Sequence, residues 1–406
     1  MSFLILVLGI LLFTCLIVVH EYGHFLLARR NGVKPEEFAI FFGPKLYSRK
    51  TRKGWIFSIR AIPLGGFVRL KGEHDSDKAP GTFGSASLWA KSKIMAAGVG
   101  MNLLAALALF TLLALIGIPK LIPNQYTVKN DTKVSSQKVL VGNIEKGSPA
   151  QKAGLKNQDV LNEISVAGKQ PIKITSSDVL KSTTKTYAGQ KVNILYSRGG
   201  KQLETSATLV SASVVSASLA EFNKQINSTK LDCANIPSPK GNLGITPTDY
   251  TLQRSTWSAP VAAVGLSTQV TTLTFQGLGH AIGGLGSLIA GFLTGNNTAR
   301  SNGQCSASSQ VGGPIAIAVI LKDGSQMGIE FMLFIIAIIS LTLAIMNILP
   351  IPALDGGRLW LTLFTHSIRK PLSAKREEHI NATGFIILLG LIILISVVDI
   401  NRFILN

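Results

Sequence analysis

The chain has 406 residues, 47% of them hydrophobic and 15% charged, with 40 Lys and Arg against 21 Asp and Glu for a formal charge of +19. So apolar a composition excludes a disordered polypeptide and an ordinary soluble enzyme. The basic excess lies in loops between apolar runs and forms no aromatic-basic patch of the kind that reads nucleic acid, so no nucleic-acid partner is expected.

Residues 2–19 carry no charge and are long enough to cross a bilayer, giving a first span over 1–27. This run lacks a basic leader and a small-x-small cleavage site, so it reads as a retained span and not as a signal peptide. Cys15 within it is expected to be a buried small hydrophobe. The run ends in VVHEYGHFLLARR, residues 18–30. Polar groups in a membrane span are costly and point to function. His20 and His24, four residues apart on a helix, stack on one face and can reach one tetrahedral Zn²⁺, with Glu21 beside them to take a proton from water.

Residues 28–93 form a basic loop with fourteen Lys and Arg against five acids. Within it, 55–60 (WIFSIR) and 66–70 (GFVRL) are expected to pair as a β-hairpin at the membrane surface. A second span follows over 94–122. Residues 123–212 read as a small α/β domain: Ser148-Pro149-Ala150 opens a helix, Asp159 starts a strand, 176–187 is a second helix, and 191–209 is a hairpin turning at Gly199-Gly200. Residues 213–258 read as polar and irregular. The glycine-rich stretch 260–293 is expected to lie as interfacial helices within a 213–328 linker, because a fifth span would reverse the next one. Cys233 and Cys305 leave a disulfide open. His280, within this stretch, is expected to be interfacial, and His74, His366 and His379, in or beside basic loops, to be solvated.

The third span, 329–364, runs into NILPIPALDGGRLW. Pro350 and Pro352 break the helix and Gly356-Gly357 permit a close turn, leaving Asp355 on irregular backbone at membrane depth. A carboxylate there supplies a third hard ligand, and His₂-carboxylate with one open position describes a hydrolytic zinc site holding one ion. A short loop, 365–382, with Arg369, Lys370, Lys375 and Arg376, precedes a fourth span, 383–406. Basic short loops mark the cytoplasmic side, which places both termini outside and His20, His24 and Asp355 together near the cytoplasmic face. The fold class is therefore a polytopic α-helical membrane protein of four transmembrane helices with an extracytoplasmic α/β domain.

The His20-Glu21-x-x-His24 run together with Asn347…Asp355-Gly356 resembles the site-2 proteases, intramembrane zinc metalloproteases, and in particular the bacterial regulator-of-sigma-E protease group. AIPLGGFVRLKGE at 61–73, LWAKSKIMAAGVGMN at 88–102 and VGGPIAIA at 311–318 are similar to further stretches of that family, although Val99 stands where the family usually has proline. The resemblance implies Glu21 as general base, His20, His24 and Asp355 as zinc ligands, and Asn102 and Asn347 as substrate-positioning residues. It implies that the cytoplasmic β-loop, with Gly65, Gly66 and Phe67, pairs with substrate as a strand. It also implies that the outer domain is a circularly permuted PDZ domain, whose groove takes a peptide carboxyl terminus or which screens substrates by size. The substrate is then a single-span membrane protein in the lipid bilayer of the cell membrane, of anti-sigma-factor or remnant-signal-peptide type, cut second in regulated intramembrane proteolysis. A carrier would show internal repeats and a structural zinc scaffold a fourth protein ligand, and neither is found in the sequence.

Overall fold

Apolar runs of twenty residues or more form helices here because nothing within them offers the backbone another partner. The computed structural model describes residues 2–73, 77–227, 240–296, 312–369 and 373–400. In chain order these form α1 (Ser2–Arg30), β1 (Pro35–Lys50), β2 (Ile56–Leu70), α2 (Leu88–Ile116) and β3 (Ile118–Pro119). Then come β4 (Lys133–Ile144), α3 (Pro149–Lys152), β5 (Val160–Ser165), β6 (Ile172–Lys173), α4 (Ser177–Thr186), β7 (Lys191–Arg198), β8 (Lys201–Thr208), α5 (Ala212–Asn227) and β9 (Ile245–Arg254). The chain continues as α6 (Ala259–Thr294), α7 (Pro314–Met327), α8 (Ile329–Ile348), α9 (Asp355–Ser367) and α10 (Ala374–Ile400). His74, Cys233 and Cys305 lie outside the described residues.

Side-chain contacts fix the directions of the helices. Gly98 of α2 faces His20 and His24 of α1, while Phe110, further along α2, packs edge-on against Phe334 of α8 at 5.8 Å. Ser340 of α8 donates to the carbonyl of Asn102 at 2.8 Å. At the other end of α1, Gly9 meets Met332. Thus α1 and α8 run the same way, α2 runs against both, and the ends of α1 and α8 meet. Small residues make this possible: Gly23 of α1 lies against Met101 and the Ala97 carbonyl, so the two backbones approach closely beside the histidines. Val99 sits inside an unbroken α2.

Among the described residues, five helices are long and apolar enough to cross a membrane by length and composition, and α6 is one of them, where four spans and interfacial helices at 260–293 were expected. The segment is one continuous helix whose Ala259 and Ala262 pack on Ala114 at the end of α2, and whose Leu266 and Val270 join Ala106 and Phe110 earlier in α2. It therefore runs antiparallel to α2 from the end where the outer domain attaches. Asp131 fastens that start, accepting from the backbone and hydroxyl of Ser258 at 3.0 and 2.6 Å. Asp355 still reaches the histidines, because α8 runs parallel to α1 and ends beside them. Leu321 of α7 packs with Leu16, Met332 and Ile336, and Gly328, at φ +111°, folds α7 against α8. The buried carboxylate of Asp399, on α10, accepts from Gly313 and Ala316 at 2.9 and 3.0 Å, closing the start of α7. Cys15 is exposed on α1 and not buried, in line with the large apolar side chains exposed on the same helix at Phe3, Leu4 and Leu11.

The sheet after α1 also differs from expectation. Segment 35–40 of β1 pairs with 66–70 on one side (Ile40↔Gly66, Phe38↔Val68) and with 56–59 on the other (Ala39↔Ser58), and 56–60 pairs onward with 45–50. The segments 55–60 and 66–70 are thus not neighbours; a strand read as plain loop lies between them. Its sequence, PEEFAIFF, hides a buried Glu37 on an inward face, which breaks the usual apolar alternation.

The outer domain follows the sequence reading through its first half. Ser148 caps α3, Ser176 caps α4, and β7 and β8 turn at Gly199 and Gly200, both left-handed at φ +57° and +82°. Asp159 is buried and forks onto Arg198 at 2.7 Å. Val139, Val141, Leu161, Ile164, Leu180, Val192 and Ile194 fill one core. The strand order is β3-β9-β4-β5-β7-β8, with β6 on β5. The domain does not end at 212: α5 follows, and β9 pairs with β4 from Ile245↔Ile144 to Arg254↔Lys133. Only Tyr250 of β9 is buried, so its polar sequence gives no local sign of a strand.

Candidate metal centre

On α1 the i, i+4 spacing brings the two imidazoles onto one face with ring centroids 4.9 Å apart. The third group arrives through a break in the helix path. Residues 349–354 leave helical geometry at Pro350 and Pro352, and Ala353 takes φ +75°. Asp355 then opens α9. A Cβ at Gly356 would stand 2.6 Å from the Ile348 carbonyl oxygen, and one at Gly357 2.9 Å from the Pro352 Cα, so only glycine lets the turn close.

The result is a small triangle. Asp355 Oδ2 lies 3.1 Å from His20 Nε2 and 3.0 Å from His24 Nε2, and the two nitrogens are 3.3 Å apart. Zinc bonds of about 2.0–2.1 Å in a tetrahedron give edges of roughly 3.3 Å, so the three atoms form one face of such a site. No fourth metal-ligating side chain joins the cluster among the described residues. The histidine side chains are 12% exposed and that of Asp355 30%, which leaves an approach on the carboxylate's side.

Neighbours orient both rings. His24 Nδ1 lies 2.8 Å from the Ile94 carbonyl and donates to it, so Nε2 presents its lone pair to the triangle. Asn102 is buried with its amide nitrogen 3.3 Å from His20 Nδ1, while its oxygen has no partner. Amide oxygen and nitrogen are assigned by hydrogen bonding. Turning the amide over lets the oxygen accept His20 Nδ1–H, freeing His20 Nε2 in the same sense. The donor set thus suits a zinc ion. Asn102 touches a histidine and not open space. The Ile94 carbonyl was invisible to sequence reasoning, since a backbone atom carries no residue signature.

Glu21 follows His20 and faces the sheet. A Cβ on Gly66 would stand 3.4 Å from Glu21 Cγ and 3.8 Å from Ile17 Cγ2, so the 66–70 backbone crosses directly over the glutamate. The Val68 backbone amide hydrogen-bonds Glu21. Among the described residues, segment 66–70 has a strand partner on one side only, leaving an edge at the site. Gly65, at φ +80°, turns the chain over the Phe42 ring. Phe67 points to the sheet's other face, stacked on Phe42 at 5.9 Å under the Arg60 guanidinium at 4.9 Å. Asn347 is half-buried in the last turn of α8, just before the break. His280, His366 and His379 are exposed, away from the cluster.

Glu37, which sequence reasoning passed over, holds the sheet in place. Its buried carboxylate accepts from Ser58 Oγ at 2.7 Å and Arg60 Nη2 at 2.9 Å, with Lys45 at 3.4 Å and Arg69 at 3.8 Å. It therefore ties all four strand segments together, including the edge beside Glu21. Burial alone would raise its pKa, but the Ser58 and Arg60 hydrogen bonds and the nearby cations outweigh this and hold it at about 2. A carboxylate with its folded pKa below the unfolded value stabilises fully above the unfolded pKa of about 4.5 and progressively less as pH falls toward 2. Glu37→Gln should cost on the order of 2–3 kcal/mol at neutral pH, because Arg60 loses its charged partner. Thermal unfolding in detergent checks this: the gap between wild type and variant should shrink between pH 4.5 and 2, and a gap independent of pH would refute the assignment.

Comparison with known proteins agrees with this geometry. The model of peptidase family M50 matches residues 8–391. The Campylobacter jejuni protein named "Putative zinc metalloprotease Cj1068" is 30% identical, covering 97% of this chain and 93% of its own length. A Clostridium acetobutylicum protein, "Putative zinc metalloprotease CA_C1796", is 30% identical over 98% of both chains. Zinc metalloprotease RasP of Shouchella clausii is 24% identical over 97% of this chain and 98% of its own. With a triangle of candidate metal ligands beside a strand edge and, among the described residues, five helices apolar enough to cross a membrane, the chain belongs to peptidase family M50 and is a multi-pass membrane protein, a site-2-type zinc metalloprotease that cuts peptide bonds within the membrane.

Proposed function

We propose that His20, His24 and Asp355 hold one zinc ion, that Glu21 is the general base, and that the substrate is a single-span membrane protein already trimmed on its outer side. The observation that carries this reading is the 3.0–3.3 Å donor triangle with Glu21 at its edge beneath a strand paired on one side. Zinc, when bound, acidifies water and polarises a peptide carbonyl. Glu21 takes the proton of the attacking water and passes it to the leaving amine. Asn102 and the Ile94 carbonyl keep the two imidazoles in the tautomer that binding needs. A transmembrane helix shields its peptide bonds, so the cut requires an unwound segment. The 66–70 edge receives it by strand addition, with Gly66 bare so that the substrate backbone comes close to Glu21 and Asn347 on the opposite side to position it. Phe67 serves through its backbone, its ring being spent on the sheet.

The basic loops support a reading in which both termini lie outside and the site lies near the cytoplasmic face of the cell membrane. The outer domain is PDZ-like in its element order. We place its groove between α4 and the part of β9 before Leu252, where β3 does not pair, and there Asp249 accepts from the Ser177 backbone and hydroxyl at 2.7 Å each. That groove takes a peptide carboxyl terminus, or the domain screens by size. Liposomes holding the purified chain and a single-span substrate test the proposal, with the substrate's outer part either cut to a short tail or left folded. Cleavage inside the apolar stretch of the trimmed form alone, mapped by mass spectrometry, is expected. Equal cutting of both forms would overturn the second-cut role, and a cut outside the apolar stretch would overturn the intramembrane substrate.

A further inference from the structure

On the side of the metal centre away from the outer domain, a cavity of about 460 Å³ opens between the start of α2 and the length of α9. Lys78, Lys91, His366 and Arg369 line it, with the hydroxyls of Thr362 and Thr365. Among the described residues, no carboxylate lines it. The nearby acids are turned elsewhere: Glu73 and Glu377 lie 3.8 and 3.7 Å from the Arg358 guanidinium, and Asp77 lies against Gly72. We propose that this cavity binds a phosphate group, carried by an anionic phospholipid or free in solution.

The donors suit that chemistry. Arg369 offers a planar fork and Lys78 an ammonium, the pair of groups by which proteins hold phosphate oxygens. Lys78 is anchored to the Gly84 carbonyl at 3.2 Å, which leaves further ammonium hydrogens for an anion. Lys91 is buried and has partners of its own, so it contributes charge at the floor and not a spare donor. Thr365 donates to the Thr362 carbonyl at 3.1 Å, while the Thr362 hydroxyl adds a neutral donor beside the cations. Surroundings favour the lipid as the source. Trp89, Phe364 and Ile368, on the same two elements as the lining residues, are 72%, 63% and 47% exposed. An exposed tryptophan beside basic residues is the usual mark of the membrane–water boundary, and exposed apolar side chains there meet acyl chains.

Occupancy bears on the catalytic end of the molecule. One turn beyond Lys91, Ile94 accepts the His24 hydrogen bond, and α9 begins at Asp355. A phosphate held between α2 and α9 draws together the two elements that set His24 and Asp355, so it should stabilise the fold.

Native mass spectrometry and thermal unfolding of the purified full chain in detergent test the proposal, with phosphatidylglycerol, phosphatidylcholine or inorganic phosphate added in separate arms. Wild type should retain phosphatidylglycerol and unfold at a higher temperature with it, and phosphatidylcholine should do neither. The double variant Lys78→Gln, Arg369→Gln should lose retention about tenfold or more and lose the thermal shift. Its zinc content, which these residues do not touch, reports that it is folded. Lys191→Gln with Lys201→Gln, the same charge removed from the outer domain, should behave as wild type. A shift with inorganic phosphate alone that the double variant abolishes supports the soluble source. No shift with any phosphate compound, or equal retention by both double variants, would overturn the proposal.

Discussion

Glu21→Gln should abolish detectable cleavage of a model transmembrane substrate while the purified protein keeps the zinc content of wild type. Glu21 is not one of the three converging donor atoms, which belong to His20, His24 and Asp355, so an isosteric amide leaves metal binding in place. The amide cannot accept a proton from water, and general-base catalysis contributes about 10²–10⁴-fold, or roughly 3–5 kcal/mol of barrier. The amide retains an oxygen to accept from the Val68 backbone, so the strand edge beside it should also stay in position. Zinc by atomic absorption and product by mass spectrometry separate the outcomes. Zinc lost together with activity would make Glu21 part of the metal's support. Activity kept would place the base elsewhere. A variant that holds zinc and does not cut assigns Glu21 to the proton transfer alone.

The centre was legible in the sequence because each of its parts rests on short-range geometry. Four residues on a helix give one face whatever the tertiary fold, so His20 and His24 could be paired from spacing. Pro350, Pro352 and the two glycines announce a break, and the charge of the loops orients both helices, so Asp355 could be brought to the same depth. What stayed hidden depends on distant pairing. The strand 35–42 slides between two segments that looked adjacent, because its inward carboxylate masks its alternation. β9 pairs with β4 about a hundred residues earlier and buries little of its own. The continuity of α6 stayed hidden because its glycines and polar residues weaken the apolar signal that the other long helices carry. Asn102 was read as facing substrate, whereas the structure sets it against His20, one helix turn from Gly98.

Gly98 provides the sharpest test of how tightly α2 governs the metal centre. A Cβ there would stand 2.6 Å from His20 Nδ1, closer still to His20 Cε1 and His24 Nε2, and far inside van der Waals contact. Both rings are fixed on α1, and α1 is held to α2 by the close approach of Gly23 to Ala97, so the rings can yield only by moving their nitrogens. Gly98→Ala should therefore cost about 1–3 kcal/mol of stability through overpacking. It should cost more in function: displacing the histidines disturbs their hydrogen bonds to Asn102 and Ile94, and disruption of such supporting contacts typically lowers metal affinity or activity roughly 10–100-fold. The control lies two residues away. A Cβ at Gly100 meets nothing within 4 Å, and glycine inside a helix is about 0.5–1 kcal/mol less favourable than alanine, so Gly100→Ala should leave zinc and cleavage intact and raise the unfolding temperature slightly. If Gly98→Ala retains zinc at the wild-type affinity, α2 does not press on the histidines and the triangle is set by α1 and α9 alone. If zinc binding weakens in Gly98→Ala but not in Gly100→Ala, the absence of a side chain at residue 98 is itself a condition for holding the metal.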